Sequence, residues 1–404
     1  MVLHGTSQTA PNKRVRNSNI EVLRLLAMLL IAFIHFPYPS GVQAYPNSGS
    51  FANSFCYMFL FKMLTCWGGV GDCLFFGITA WFLCEEQPSF RKSLTRAWQL
   101  EKQLWYYSLL FLALEVAKYV KHGQPMPKER LLDDILSTLF PVSSDLWWYP
   151  AAYILFLLLY PFITVALRSL GKRLHCALCI VSLLVWGLSP FYQDTLHNGY
   201  SHGLYGNVFV FIYLYVLLSC LRWYFSSLVQ SKRLAFIFCG VGFLLGSASQ
   251  FVHLLLSVKL QNHLIGWRSW TNNPVCFPSM LIALGLLIFA NVYRPHYSRV
   301  VNKFASGALP VYLVLLHPFT LALLTSKVNI VFAALKLGYG YRRIGVCVGM
   351  AVMLYIAVLL FDFIRQSLFS HVFNRNPNRF LNWVLEKVTQ FSWVKRVEET
   401  ISEA

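Results

Sequence analysis

Between Asn19 and Pro37 the chain reads NIEVLRLLAMLLIAFIHFP. The stretch is apolar enough to enter a membrane, yet it carries Glu21, Arg24 and His35. Arg24 and His35 stand three helical turns plus about 20° apart, so a helix puts both side chains on one face, about 16 Å apart along its axis. Glu21, three residues before Arg24, shares that face. An arginine inside a spanning helix costs about 3 kcal/mol even on the lenient insertion scale, so a helix that keeps one is read as functional. The rest of the chain is read as a membrane scaffold around this polar stripe.

Composition supports that reading. The 404 residues are 57% hydrophobic and only 12% charged, against about 25% charged in soluble domains, and mean hydropathy is +0.53. Long apolar runs recur throughout, so the lipid bilayer is the first expected partner. The net charge of +18 would point to nucleic acid on a soluble chain. Here the Lys and Arg fall in alternate loops, as the positive-inside rule requires, and no nucleic-acid partner is expected.

Apolar runs at 20–36, 104–120, 146–167, 174–191, 208–224, 234–256, 275–293, 309–325 and 344–369 read as spans. Residues 51–86 hold two shorter pieces split by Trp67-Gly68-Gly69 and count as one crossing; an interfacial or re-entrant piece before a crossing is the alternative. With the N-terminus inside, most of the 34 Lys and Arg then lie in inner segments. Two crossings by 51–86 would turn the basic loop Arg91–Lys102 and its successors outward. The expected fold is therefore an all-α, polytopic transmembrane helix bundle of about ten spans, with N- and C-termini cytoplasmic, in the cell membrane. Residues 1–17 read as a disordered basic arm, 18–370 as the membrane domain and 371–404 as a cytoplasmic tail. Phe380, Trp383, Val384, Val388, Phe391 and Val394 make that tail amphipathic at helical spacing. Lys13, Arg14 and Arg16 precede the first run as in a signal peptide, but no small-residue cleavage site follows, so an uncleaved first span is expected.

Within the stripe, Arg24 offers a planar fork for a phosphate or a thioester oxygen. His35 offers a general base, its unperturbed pKa lying near 6.5. The competing reading is a structural Glu21–Arg24 pair and a packing histidine. Asp72 and Asp362, inside apolar runs, are expected to pair inward with basic side chains, and Lys62 to snorkel or pair. The ten cysteines suggest no disulfide framework. Cys176-x-x-Cys179 lies in the apolar run from Leu174 to Phe191 and reads as small apolar packing. His197 and His202 lack a third ligand, so no metal is expected.

Three segments in order add to this. The opening RNSNIEVLRLLAMLLIAFIHF, the segment GVGDCLFFGITAWFL (Gly69–Leu83) followed by a basic loop, and ALPVYLVLLHPF (Ala308–Phe319) resemble the acyltransferase-3 family of integral-membrane acyltransferases. The resemblance covers roughly residues 17–370. It implies a membrane acyltransferase that moves an acyl group, usually acetyl, from cytoplasmic acyl-coenzyme A to a hydroxyl of a cell-envelope glycan or its lipid-linked precursor. Acetyl-coenzyme A is then a donor substrate, and no bound cofactor is implied. Arg24 and His35 are the implied catalytic pair, with Glu21 beside them at the substrate. Arg91, Lys92 and Arg96 stand where the family often has Arg-x-x-Arg, an implied site for coenzyme A phosphates, here with different spacing. Trp147 and Trp148 are an implied platform for a sugar ring, with an aromatic belt as the alternative. His317 is a further substrate-binding candidate, with a satisfied interior histidine as the alternative.

A transporter or exporter using the stripe as a substrate or proton path is the rival reading. It calls for repeats and paired broken helices, whereas the sequence has one clear break, at residues 67–69. A non-enzymatic sensor leaves the cost of burying Arg24 unexplained.

Overall fold

The computed structural model describes residues 17–38, 51–123, 125–144, 146–188, 206–259, 270–271, 273–336, 340–372, 382–383, 386–387 and 390–403. It is helical, with no strand among the described residues, in accord with the all-α expectation. The basic arm, the stretch holding His197 and His202, and Phe380, Val384 and Val388 of the tail lie outside them.

Helix α1 (Ser18–His35) starts where Asn17 accepts from the Asn19 amide and carries Glu21 in its first turn, where the helix dipole favours an acid. It ends before Pro37, which biases Phe36 to its extended conformation. Helices α2 (Phe51–Thr65) and α3 (Gly68–Leu83) are the two short pieces, separated at Cys66-Trp67. α3 runs antiparallel to α1 at very close range. A Cβ at Gly71 would sit 2.5 Å from the Ala27 carbonyl, and one at Gly68 would sit 2.4 Å from Ile34.

Helices α4 (Phe90–Lys121) and α5 (Lys128–Leu139) follow, then α6 (Trp148–Ser182), which continues into a π-helical turn at Leu183–Gly187. α6 is two limbs. Gly171 has φ 64°, a left-handed conformation that suits glycine, and the chain reverses there. The contacts with α7 (Val208–Tyr224) show the reversal. In the first limb Tyr149 meets Phe211, Thr164 meets Tyr215 and Arg168 meets Trp223; in the second His175 meets Tyr224, Cys179 meets Val216 and Trp186 meets Tyr213. The runs expected at 146–167 and 174–191 are thus separate, opposed limbs.

The remainder is α8 (Lys232–Lys259), α9 (Phe277–Val292), α10 (Arg299–Ala305), α11 (Ala308–Leu316), α12 (Pro318–Ala334), α13 (Tyr341–Val372) and α14 (Ser392–Glu403). Six helical segments, at 18–35, 55–83, 148–187, 232–257, 299–316 and 341–367, are long and apolar enough to cross a membrane, and α7, α9 and α12 are shorter apolar helices. The run expected to span 309–325 is broken at His317. Pro318 lacks an amide and holds His317 extended at ψ 133°, so α11 stops and α12 starts. The bundle therefore has a second broken helix that the sequence reading did not count.

α1, and α10 with α11, leave a common joint where the Ser298 amide donates to Ser18 Oγ at 2.7 Å and Ser18 Oγ donates to Asn302 at 2.8 Å. α1 then extends 18 residues, or about 27 Å. At the far end of α1, Ile34 lies against Gly68 at the α2–α3 break. Non-helical backbone there is satisfied internally. The Gly69 amide donates to the Thr271 carbonyl at 2.8 Å, Thr271 Oγ1 donates to the Cys66 carbonyl, and Gln250 Nε2 donates to Thr271 Oγ1 at 3.0 Å. Irregular backbone at membrane depth survives only when enclosed by protein in this way. A Cβ at Gly69 would lie 2.6 Å from both the amide nitrogen and the carbonyl carbon of Asn273. Backbone cannot swing aside as a side chain does, so Gly69→Ala is expected to destabilise the protein by about 1–3 kcal/mol. A lowered midpoint of thermal aggregation in detergent measures this, with Gly240→Ala, which meets nothing, as the reference.

The tail is fastened to the opposite, basic end. The Glu398 carboxylate of α14 accepts from Ser89 Oγ at 3.1 Å and from the amides of Phe90 and Arg91 at 3.0 Å, capping α4. Trp383 and Phe391, expected on an apolar face, are exposed.

Candidate functional site

α1 is unbroken from Glu21 to His35, so the three-turn relation expected of the stripe holds. Arg24 Nη1 donates to the Glu21 carboxylate. Glu21 is buried, while the Arg24 side chain keeps 27% of its surface. Its remaining guanidinium N–H groups have no partner among the described residues. Glu21 thus anchors one edge of the fork and leaves the other open.

At the far end, His35 is half-buried, and its Nδ1 lies 2.9 Å from the Ile31 carbonyl one turn back. A carbonyl only accepts, so Nδ1 carries the proton and Nε2 carries the lone pair. Nε2 has no partner among the described residues. Among the described residues, the ring is held by its own helix and its basic nitrogen is unengaged.

The basic loop contributes unequally. Arg91 and Lys92 are exposed, and their backbone amides serve the α4 cap. Arg96 turns inward and donates to Glu86 at 2.6 Å. Tyr153 of α6 faces Thr79 of α3 and lies within electrostatic reach of both Arg24 and Arg96.

Two more arginines stand at this end. Arg222 pairs with Glu85 and lies 4.2 Å over the Trp81 ring; Arg168 lies 5.7 Å over Trp223. Cys84, Glu85, Arg168, Trp223 and Tyr224 line an open cavity of about 530 Å³. Tyr153, Arg168 and Arg222 were not site candidates in the sequence. The arginines close apolar runs and register there only as charge bias, and one tyrosine among 21 carries no spacing signal.

The aromatic candidates divide as well. Trp147 and His317 come together, their rings 5.8 Å apart, and the His317 ring stacks on Phe111 at 3.8 Å. Trp147 is 2% exposed and its indole N–H donates to the Leu313 carbonyl at 3.0 Å, which makes it a brace between α6 and α11. His317 Nδ1 accepts from the Phe319 amide at 3.2 Å, capping α12. Trp148 remains half-buried beside Tyr149 and Phe211. Asp362 accepts from Tyr107 at 2.7 Å and pairs with Arg365, as expected of a carboxylate in an apolar run. Asp72, expected to pair likewise, is buried with no ion-pair partner among the described residues.

A family model described as an acyltransferase domain matches residues 17–362. The chain belongs to the acyltransferase-3 family. The match begins at the α1 cap, Asn17, and ends at Asp362, so it takes in the stripe, both broken helices and the arginine cluster, and leaves out α14. This acyltransferase-3 protein is a helical membrane acyltransferase. No curated protein and no solved structure matches it.

Proposed function

We propose that the protein transfers an acyl group, acetyl in the first instance, from cytoplasmic acyl-coenzyme A to a hydroxyl of a cell-envelope glycan or its lipid-linked precursor. The observation that carries this reading is the stripe: an arginine fork and a histidine basic nitrogen, three turns apart on one helix and each open among the described residues. The basic end, with Arg24, Arg96 and Arg222, faces the cytoplasm in this reading, in about ten crossings of the cell membrane with both termini inside. Donor phosphates are held by Arg24 and Arg96, and the extended thioester arm reaches along α1 to His35. His35 Nε2 takes the proton of the acceptor hydroxyl as its oxygen attacks the thioester carbonyl. The C–S bond breaks, the coenzyme A thiolate leaves, and the imidazolium returns the proton. Glu21 keeps Arg24 oriented throughout.

Membranes containing the protein, given acetyl-labelled coenzyme A, are expected to place label on envelope glycan in alkali-labile ester linkage. No ester label above membranes lacking the protein would end this reading. The second break at His317 is the one feature that favours a transporter. Solute counterflow without consumption of acyl-coenzyme A would establish that alternative.

A further inference from the structure

We propose that His175, Cys179 and Cys220 form a zinc site that joins the second limb of α6 to α7. The Cys176-x-x-Cys179 pair stands alone in the sequence, but the fold brings His175 and Cys220 to Cys179. One ring nitrogen of His175 and the sulfurs of Cys179 and Cys220 lie within 4.8 Å of one another. Cys176 Sγ lies 3.6 Å from Cys220 Sγ. Two thiolates on one tetrahedral zinc, each about 2.3 Å from the metal, stand about 3.8 Å apart, so the group of His175, Cys179 and Cys220 needs only a small contraction to close on an ion.

The histidine gives independent evidence. His175 is 0% exposed, and its Nε2–H donates to the Val216 carbonyl at 3.0 Å. Its Nδ1 is a buried lone pair with no hydrogen-bond partner among the described residues. An imidazole tied by one nitrogen to a backbone carbonyl, with the other facing no donor, is the usual arrangement of a metal-bound histidine. Its ring packs edge-on against Trp223 and Tyr224, at 5.5 and 5.7 Å, and both line the open cavity at the basic end, which supplies an entry path. Two sulfurs and one nitrogen fill three of the four positions of zinc. Metal binding there is stability for the fold. It holds α7, and with it Arg222, against the limb that follows Gly171.

The test is elemental analysis of the full chain, purified in detergent with thiols kept reduced and exposed to zinc. About one zinc per chain is expected. Cys179→Ser and Cys220→Ser should lose it, while Cys239→Ser, outside the cluster, should keep it. Cobalt(II) exchanged into the unmutated protein should give intense thiolate-to-metal charge-transfer absorption, a readout that does not depend on any variant folding. Absence of zinc and of that absorption overturns the proposal. So does zinc retained in full by Cys220→Ser, or a Cys176–Cys220 disulfide found in place of metal.

Discussion

Replacing His35 by alanine is expected to lower acyl transfer by about 10²–10⁴-fold, the usual contribution of a positioned general base. The protein should remain folded in the membrane. The imidazole's one described bond is to the carbonyl of its own helix at Ile31. Losing the ring strands no partner, because in the helix that carbonyl also accepts from the backbone amide of residue 35. The stability change is therefore expected to stay within about 1 kcal/mol. Ester-linked label on glycan, read beside detergent-extraction yield and thermal midpoint, separates the two effects. Unchanged labelling by His35→Ala would remove His35 from the mechanism and leave it a packing residue.

Replacing Arg24 by lysine is expected to raise the apparent KM for acyl-coenzyme A by about 10–100-fold. Lysine keeps a charge for Glu21 but cannot present a second edge to a donor oxygen, and a charge-assisted hydrogen bond is worth about 1.5–3 kcal/mol. Arg24→Ala alone is a poor probe. It leaves the buried Glu21 carboxylate unpaired, at a cost of about 3–5 kcal/mol, and confounds folding with function. The double variant Glu21→Ala/Arg24→Ala removes both charges together. It is expected to match the unmutated protein in thermal midpoint and to be inactive. A fully active double variant would show that the pair is structural only, the reading that competes with catalysis at the sequence level.

The contrast between α1 and the rest shows what was legible in the sequence. Arg24 and His35 could be related in advance because both lie on one continuous helix, whose period fixes their angle and separation. Arg96 could be proposed but not distinguished from Arg91 and Lys92. Which of the three turns inward depends on Glu86, ten residues before Arg96, and on Tyr153 of another helix, and the spacing of the basic residues encodes neither. The His317 break was signalled by the following proline, yet hydropathy alone carried the apolar run straight through it. The Trp147–Leu313 bond and the meeting of His175 and Cys220 join positions 166 and 45 residues apart. Such pairings follow from how helices pack, and a single sequence holds no local pattern for them.

The Glu21–Arg24 pair has a consequence for biogenesis. α1 is made before the helices it packs against, and apart from α2 and α3 its contacts come from far along the chain: Ser18 meets Asn302, 284 residues on, and Leu25 meets Tyr355, 330 residues on. Chains are synthesised at about 5–20 residues per second, so α1 waits in or beside the bilayer for some tens of seconds before those partners exist. During that interval the carboxylate one turn away is the only counter-charge that arrives together with Arg24. A glutamate at that spacing lets the helix carry its arginine into the membrane before there is a bundle to receive it.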